Sequence, residues 1–199
     1  MISYRRGRVT KIIRRQPGCT ELEVQTSAGK TKALCYDQFT AAIKPGDQVL
    51  LNTTAVELGL GSGGYHFVAA VTDGPEPAPQ QLSKSQGHIM KLRYTPLQFS
   101  VLSAEEENSP YHELFQQFNS LDGFPVIIGE LHSMLLPAVF NLQRQRPGLR
   151  IAYIMTDGGA LPAAFSHNLA FLKRQRLIAG TITYGHAFGG DLETVNIYT

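Results

Sequence analysis

The sequence predicts a two-domain α/β protein, with a small OB-like β-barrel over residues 1–72 and a doubly wound, mainly parallel α/β sheet domain of Rossmann-like type over residues 97–199. Three observations predict this. Short strand-like segments separated by turn residues fill the first third, a proline-rich stretch follows, and buried strands then alternate with amphipathic helices. Residues 73–96 are the predicted linker and connecting segment.

The predicted barrel contains five β-like segments, which are Arg8–Arg14, Glu21–Thr26, Thr31–Tyr36, Gln48–Leu51 and His66–Val71. Glycine and proline pairs such as Pro17-Gly18 and Pro45-Gly46 separate them, and such pairs connect neighbouring antiparallel strands. The even spacing of these short segments is typical of a small barrel or sandwich. After Val71, prolines alternate with small or polar residues, which predicts a semi-rigid linker.

The predicted α/β domain has strands over 97–102, 124–129, 149–155 and 177–184, and helices over 109–118, 133–146 and 160–176. The strands are rich in Val, Ile and Leu over their whole length, which is typical of strands buried on both faces. Crossover connections place helices on the faces of a parallel sheet. The order β-α-β-α-β-α-β therefore favours a doubly wound sheet.

Composition excludes several classes of protein. No apolar run approaches the length of a membrane span, and the N-terminus lacks the apolar stretch and cleavage site of a signal peptide, so we expect a cytoplasmic protein without membrane association. The chain has only two cysteines, Cys19 and Cys35, which are too few for a disulfide scaffold and have no Cys/His cluster around them for zinc.

The first 72 residues are basic, with nine Lys/Arg against five Asp/Glu. Six of the cations lie close together near the N-terminus, namely Arg5, Arg6, Arg8, Lys11, Arg14 and Arg15. Such a stripe attracts phosphates, so one hypothesis is a binding module whose barrel contacts nucleic acid or a protein partner. Interleaved stacking aromatics are missing, which favours a solvated strand face instead.

Polar residues follow each predicted strand, where open α/β sheets bind their ligands. One such run is Asp157-Gly158-Gly159, in which exposed amides could hold an anion and Asp157 could hold a divalent metal or a sugar hydroxyl. The alternative is structural, because the glycines suit a tight turn and Asp157 suits a helix cap. The two interpretations stay open at this point.

A second candidate is the glycine-rich run after the last predicted strand, with His186, Gly189, Gly190 and Asp191. A histidine and carboxylates in one loop suit acid–base or metal chemistry. We therefore predict catalytic roles for Asp157, His186 and Asp191, and ligand contacts from Gly158, Gly159, Gly189, Gly190, His132 and Arg93. A divalent metal held by His132, Asp157, His186 and Asp191 is an alternative, although no diagnostic ligand spacing is present.

The cations Lys91 and Arg93 follow the predicted linker, where they could clamp an anionic ligand or be solvated. The leading hypothesis is an enzyme or small-molecule binder with an anionic, metal-assisted ligand at the strand tips. A homo-oligomer and an assembly subunit are further hypotheses, and the sequence does not select a reaction or substrate.

Four long motifs resemble an uncharacterised bacterial family, domain of unknown function 3866. They are residues 51–61 (LNTTAVELGLG), 87–98 (GHIMKLRYTPLQ), 155–162 (MTDGGALP) and 185–193 (GHAFGGDLE). The resemblance covers essentially the whole chain but implies no activity or catalytic residues. Members of the family are longer, so the resemblance also leads us to expect that the chain is a fragment of a longer protein.

Overall fold

The protein is described by a computed structural model that covers residues 1–40, 42–74, 87–159 and 162–194. The chain divides into two compact units, Met1–Gln81 and Leu82–Thr199. The proline-rich residues 75–86 of the predicted linker lie outside the described residues. Within the described residues, every helix is too short or too polar to cross a membrane.

The first unit is a closed barrel of five strands, which confirms the predicted barrel. The strands are β1 (Tyr4–Gln16), β2 (Cys19–Thr26), β3 (Gly29–Tyr36), β4 (Gln48–Asn52) and β5 (Tyr65–Val71), and a short helix α1 (Thr54–Glu57) precedes β5. Their order around the barrel is β1-β2-β3-β5-β4, with β4 pairing back onto β1. All pairs are antiparallel except β3 with β5. The sequence did not predict α1.

An apolar interior holds the barrel together. Leu22, Val24, Val49 and Leu51 are fully buried in one cluster, and they come from β2 and β4, the two strands that flank β1. Gly7 allows β1 to lie close to β2, because a Cβ atom there would be 2.5 Å from Val24 Cγ1. Closure also removes unpaired strand edges, which would otherwise attract other chains.

In its described residues, the second unit combines a hairpin, a parallel sheet and three helices. The hairpin strands are β6 (Ile89–Lys91) and β7 (Phe99–Val101), and the helices are α2 (His112–Gln117), α3 (Leu135–Gln145) and α4 (His167–Arg174). Single 3-10 turns, His132–Met134 and Ala163–Phe165, precede α3 and α4. The sheet contains β8 (Ala152–Met155), β9 (Gly180–Tyr184) and β10 (Leu192–Thr194) in the parallel order β10-β9-β8.

The doubly wound sheet is not confirmed. The segment predicted as a buried strand over 124–129 forms no strand, and its apolar side chains are exposed. The predicted first strand, 97–102, forms a hairpin with β6 and reaches the parallel sheet only through a bridge between Ser103 and Glu193. A doubly wound sheet carries helices on both of its faces. Here α3 and α4 pack into one apolar cluster with Met155, so both helices cover the same face of the sheet. Ile154 of β8 points to the other face and is 56% exposed.

The connection between β9 and β10 is short for parallel strands. Such strands usually need a crossover of about a dozen residues or more, whereas residues 185–191 alone make this one. We call residues 185–191 the glycine-rich loop. Within these few residues the chain must turn back along β9, so that β10 can run parallel beside it.

Candidate functional site

A pocket of about 390 Å³ lies at the carboxyl ends of β8 and β9. Its lining residues are Thr156, Asp157, Gly159, Pro162, His186, Ala187 and Phe188. The residues therefore come from the tip of β8, from the start of the 3-10 turn before α4 and from the glycine-rich loop. Of the nine predicted site residues, Asp157, Gly159 and His186 line this pocket.

Asp157 fastens the glycine-rich loop to the tip of β8. Its Oδ1 accepts hydrogen bonds from the backbone amides of His186 and Ala187, the latter at 3.2 Å. Gly185 permits this approach, because its φ is +66° and a Cβ atom there would lie 2.5 Å from both carboxylate oxygens. Among the described residues, none donates a hydrogen bond to the second oxygen, Oδ2, so this acceptor is unoccupied in a residue that lines the pocket.

The imidazole of His186 has a defined orientation. Its Nδ1 accepts a hydrogen bond from the backbone amide of Leu92 at 3.1 Å, so the neutral ring carries its proton on Nε2. Leu92 and Tyr94 have positive φ angles of 49° and 61°, which are unfavourable for residues with side chains. Backbone strain of this kind persists where the surrounding contacts require it.

Lys91 lies beneath the loop and is fully buried. Its ammonium donates to three backbone carbonyls, those of Thr183 at 3.0 Å, Ala187 at 2.6 Å and Thr194 at 3.2 Å. It also forms an ion pair with Glu193 Oε2 at 2.8 Å. One cation thus joins the end of β9, the loop and the end of β10, and the predicted role of Lys91 as an accessible clamp is replaced by a structural one.

The amides of the loop are hydrogen-bonded to acceptors of the protein itself. Glu193 Oε1 accepts from the Gly189 amide at 2.8 Å, and Thr183 Oγ1 accepts from the Gly190 amide at 3.1 Å. Asp157 Oδ1 accepts from the amides of His186 and Ala187, as described above. These amides of the glycine-rich loop therefore already hold the protein's own carboxylates and a hydroxyl.

Asp191, predicted as catalytic, does not line the pocket. Its carboxylate accepts from Lys173 Nζ at 2.7 Å and from the amide and hydroxyl of Thr181 at 2.8 and 2.9 Å. Partial burial alone would raise the pKa of Asp191, but the hydrogen bonds from Lys173 and Thr181 lower it below the ordinary value. Its contacts join the loop to α4 and β9.

His132, predicted as a ligand contact, lies in a separate cluster. Its Nδ1 is 2.9 Å from Tyr153 Oη and its Nε2 is 2.6 Å from Ser166 Oγ. Ser166 is the N-cap of α4, where its hydroxyl accepts from the Leu169 amide at 3.1 Å. Burial lowers the pKa of His132, because the charged ring would lose hydration.

Of the other predicted ligand contacts, Gly159 forms a tight turn, while Gly158 and Arg93 lie on the surface. The Gly159 amide donates to Thr156 O at 2.8 Å, and a Cβ atom on Gly159 would lie 2.9 Å from Met155 Cγ, so the tight-turn interpretation holds there. Gly158 and Arg93 are exposed, and neither lines the pocket.

The structure does not assemble the predicted metal site. Among the residues that the structure describes, no group of three or more His, Cys, Asp and Glu side chains is placed to hold a metal ion. Of the four proposed ligands, Asp157 and His186 share the pocket, while His132 and Asp191 make the separate contacts given above.

Three of the six β1 cations make contacts within the barrel. Arg14 pairs with the buried Glu21 at 2.8 Å, Arg5 pairs with Glu57 at 3.3 Å, and Arg15 donates to a backbone carbonyl at 2.8 Å. These contacts neutralise part of the positive stripe.

Sequence reasoning missed the buried network of Lys91, Thr183 and Glu193. Two signals could have found it. A single lysine stands within an apolar strand, Ile89–Lys91, and threonines occupy the two buried positions of β9, Thr181 and Thr183. Buried polar groups need partners, and these residues supply each other's.

Comparison with known proteins agrees with the sequence motifs. Residues 32–199 match the model of the family described as protein of unknown function (DUF3866), and the matched range includes the whole pocket and the buried network. No curated protein and no solved structure matches the chain. The strands β1 and β2, with the basic stripe, lie before the matched range. The chain belongs to the DUF3866 family.

Proposed function

We propose that this DUF3866 protein binds a small polar molecule in the pocket at the ends of β8 and β9. The observation that carries the proposal is the convergence of three different polar groups on one cavity of about 390 Å³: the Thr156 hydroxyl, the Asp157 carboxylate and the His186 imidazole. Ligand pockets typically have this size and few polar groups in fixed positions. The position also suits the rule that open α/β sheets bind ligands beyond the carboxyl ends of their strands.

The chemistry of the lining favours a ligand with hydroxyl groups. Asp157 Oδ2 is an acceptor, His186 Nε2–H is a donor, and Thr156 can act as either. Pro162, Ala187 and Phe188 supply apolar surface. A sugar or nucleoside fits this set. The anionic ligand expected from the sequence has less support, because the loop amides are engaged and the carboxylate of Asp157 would repel it.

We further propose that the barrel is OB-like, that the second unit is Rossmann-like and that the protein is cytoplasmic. An OB-like barrel is supported by the closed order β1-β2-β3-β5-β4, and a Rossmann-like second unit by the parallel strands β8 to β10 with α3 and α4. A cytoplasmic location is supported by two buried cysteines that are present as thiols.

A thermal-shift titration tests the binding site. The probes are D-ribose, adenosine, ribose 5-phosphate and inorganic phosphate. The expected result is stabilisation by ribose or adenosine, which at about 100 times the dissociation constant amounts to roughly 2.7 kcal/mol. His186→Asn should abolish the shift, because asparagine retains an acceptor for the Leu92 amide but removes the Nε2–H donor. Thr156→Val should weaken it by removing only a hydroxyl.

Thr31→Val in the barrel is the matched control, since it makes the same substitution on β3. It should leave the shift unchanged. Stabilisation by inorganic phosphate that survives His186→Asn would contradict the hydroxyl-binding site. A complete lack of stabilisation by ribose and adenosine would contradict it as well.

A further inference from the structure

Residues 124–129, which we call the strap, are apolar and exposed. Phe124, Val126, Ile127 and Ile128 are each more than half exposed, and Ile128 reaches 90%. The same residues have the composition of a buried strand, with three consecutive β-branched side chains. Exposing so much contiguous apolar surface is unfavourable in water, so the strap has a strong tendency to become covered.

An open sheet edge lies in the same unit. β8 is the outermost strand of the order β10-β9-β8, so one of its edges has no strand beside it in the described residues. The face of β8 opposite the helices is also open, as the exposure of Ile154 indicates. An unpaired strand edge readily accepts another strand.

Crossover handedness determines where the strap belongs. The chain runs from β8 through α4 to β9, and from the strap through α3 to β8. Both helices pack on the same face, because Val139 of α3 and Leu172 of α4 share one cluster. Right-handed crossovers over one face step across a sheet in one direction. Since the second crossover steps from β8 towards β9, the first must enter from the opposite side, at the free edge of β8.

We propose that the strap docks on the free edge of β8 as a fourth parallel strand, giving the order β10-β9-β8-strap. The anchor for this closure already exists. His132 follows the strap closely and contacts Tyr153 of β8 at 2.9 Å and Ser166 at 2.6 Å, so the end of the strap is held near β8. Docking is independent of the ligand pocket and goes beyond the function proposed above.

Docking would also bury the apolar side chains of the strap on both faces. In a strand, Phe124, Val126 and Ile128 point to one face, while Ile127 points to the other. One set would extend the apolar cluster beneath α3, and the other would lie beside Ile154. The closed unit would then bury the surface that the open arrangement exposes.

Hydrogen exchange of the whole chain, followed by mass spectrometry, tests the proposal. Docking predicts that amides of the strap exchange at least about tenfold more slowly than in an unstructured peptide, at every protein concentration. Ile128→Asp should remove this protection, because the charge would have to be buried. Leu121→Asp is the matched control, since Leu121 is similarly apolar and exposed but lies outside the strap, and it should leave the protection unchanged.

Two results would overturn the proposal. One is exchange of the strap amides at the rate of an unstructured peptide. The other is protection that rises with protein concentration, together with a dimer mass in light scattering, since a second copy would then cover the strap.

Discussion

The two units of the chain are stabilised by different kinds of buried group. In the barrel, the fully buried residues are mainly apolar side chains such as Leu22 of β2 and Val49 of β4, which closure of the barrel brings together. In the second unit, the largest fully buried side chain is that of Lys91, which bonds residues about a hundred positions later in the chain. The first unit therefore depends on packing, whereas the region beneath the pocket depends on one charged network.

This difference has a consequence for function. In a packed apolar interior, truncating one side chain costs the contacts of that side chain and a local cavity, which partial relaxation reduces. A buried ion pair fails as a unit, because removing one partner leaves the other charged in a poorly hydrated place. The geometry of the pocket thus depends on Lys91, a residue that does not line it.

The largest effect is expected from Lys91→Met. This substitution leaves Glu193 without its cation and three carbonyls without their donor, so we expect the second unit to lose about 3–5 kcal/mol of unfolding free energy. Urea unfolding monitored by hydrogen exchange measures the unfolding free energy of each unit separately. Lys44→Met, an exposed lysine of the barrel, should change stability by less than about 0.5 kcal/mol.

The double variant Lys91→Met/Glu193→Gln sharpens this prediction. Removing the charge of Glu193 should recover part of the loss, because the unpaired, partly buried carboxylate causes much of it. A loss in the double variant equal to the sum of the single losses would contradict a coupled ion pair.

Leu22→Ala should destabilise the barrel by about 2–5 kcal/mol, because Leu22 is fully buried in its core. The two cysteines, Cys19 and Cys35, lie buried in the barrel and report on it alone. Burial also raises the pKa of Cys19 to about 11, which keeps the thiol unreactive in the folded state. Labelling of these two thiols should be roughly 30-fold faster or more in Leu22→Ala than in the wild type, because the destabilised barrel opens more often. Leu60→Ala, at an exposed leucine of the same unit, should leave the labelling rate unchanged.

Gly185→Ala and Gly59→Ala form a matched pair across the two units. Both glycines have φ of +66°, so both substitutions carry backbone strain of about 1–2 kcal/mol. At Gly59 a Cβ atom would meet no atom within 4 Å, whereas at Gly185 it would collide with the Asp157 carboxylate. Thermal unfolding should therefore show a further loss of about 1–3 kcal/mol for Gly185→Ala. Equal losses would contradict the close contact between loop and carboxylate.

The smallest effect is a dependence on pH through His132. Its pKa is lowered in the folded protein by burial, so the folded state favours the neutral ring. As pH falls below the ordinary value of 6.5, the unfolded chain takes up the proton first. The contribution of His132 to stability is complete above this pH and is lost as pH falls through the lower folded pKa.

His132→Gln should therefore flatten the stability of the second unit between about pH 7 and pH 5. His66→Gln is the matched control, because burial also lowers the pKa of His66, but this residue lies in β5 of the barrel. It should leave the profile of the second unit unchanged. If the stability of the second unit keeps the same slope against pH in His132→Gln, His132 is not the source of this pH dependence.

The sequence predicted the barrel well because its determinants are local. Each of the five predicted segments overlaps one strand, and the turn between β1 and β2 lies at Pro17-Gly18 as predicted. Strands joined by tight turns must pair with their neighbours. The strand order was not predictable, because the parallel pairing of β3 with β5 depends on contacts distant in sequence.

The candidate site was predicted only in part, for the same reason. Placing Asp157 and His186 at strand ends followed from the local pattern, and both line the pocket. The local pattern did not show which polar groups of the site are hydrogen-bonded within the protein, because the partners of Lys91 lie far along the chain. The strap was predicted as a buried strand because its composition is that of one, yet burial requires a neighbour, which composition does not specify.

The most direct test of the account is hydrogen exchange at the glycine-rich loop in the wild-type protein and in Lys91→Met. We expect the amides of His186, Ala187, Gly189 and Gly190 to be protected in the wild type and to lose this protection in the variant, while the barrel amides keep theirs. Unchanged protection of the loop in Lys91→Met would contradict the claim that the buried lysine determines the geometry of the pocket.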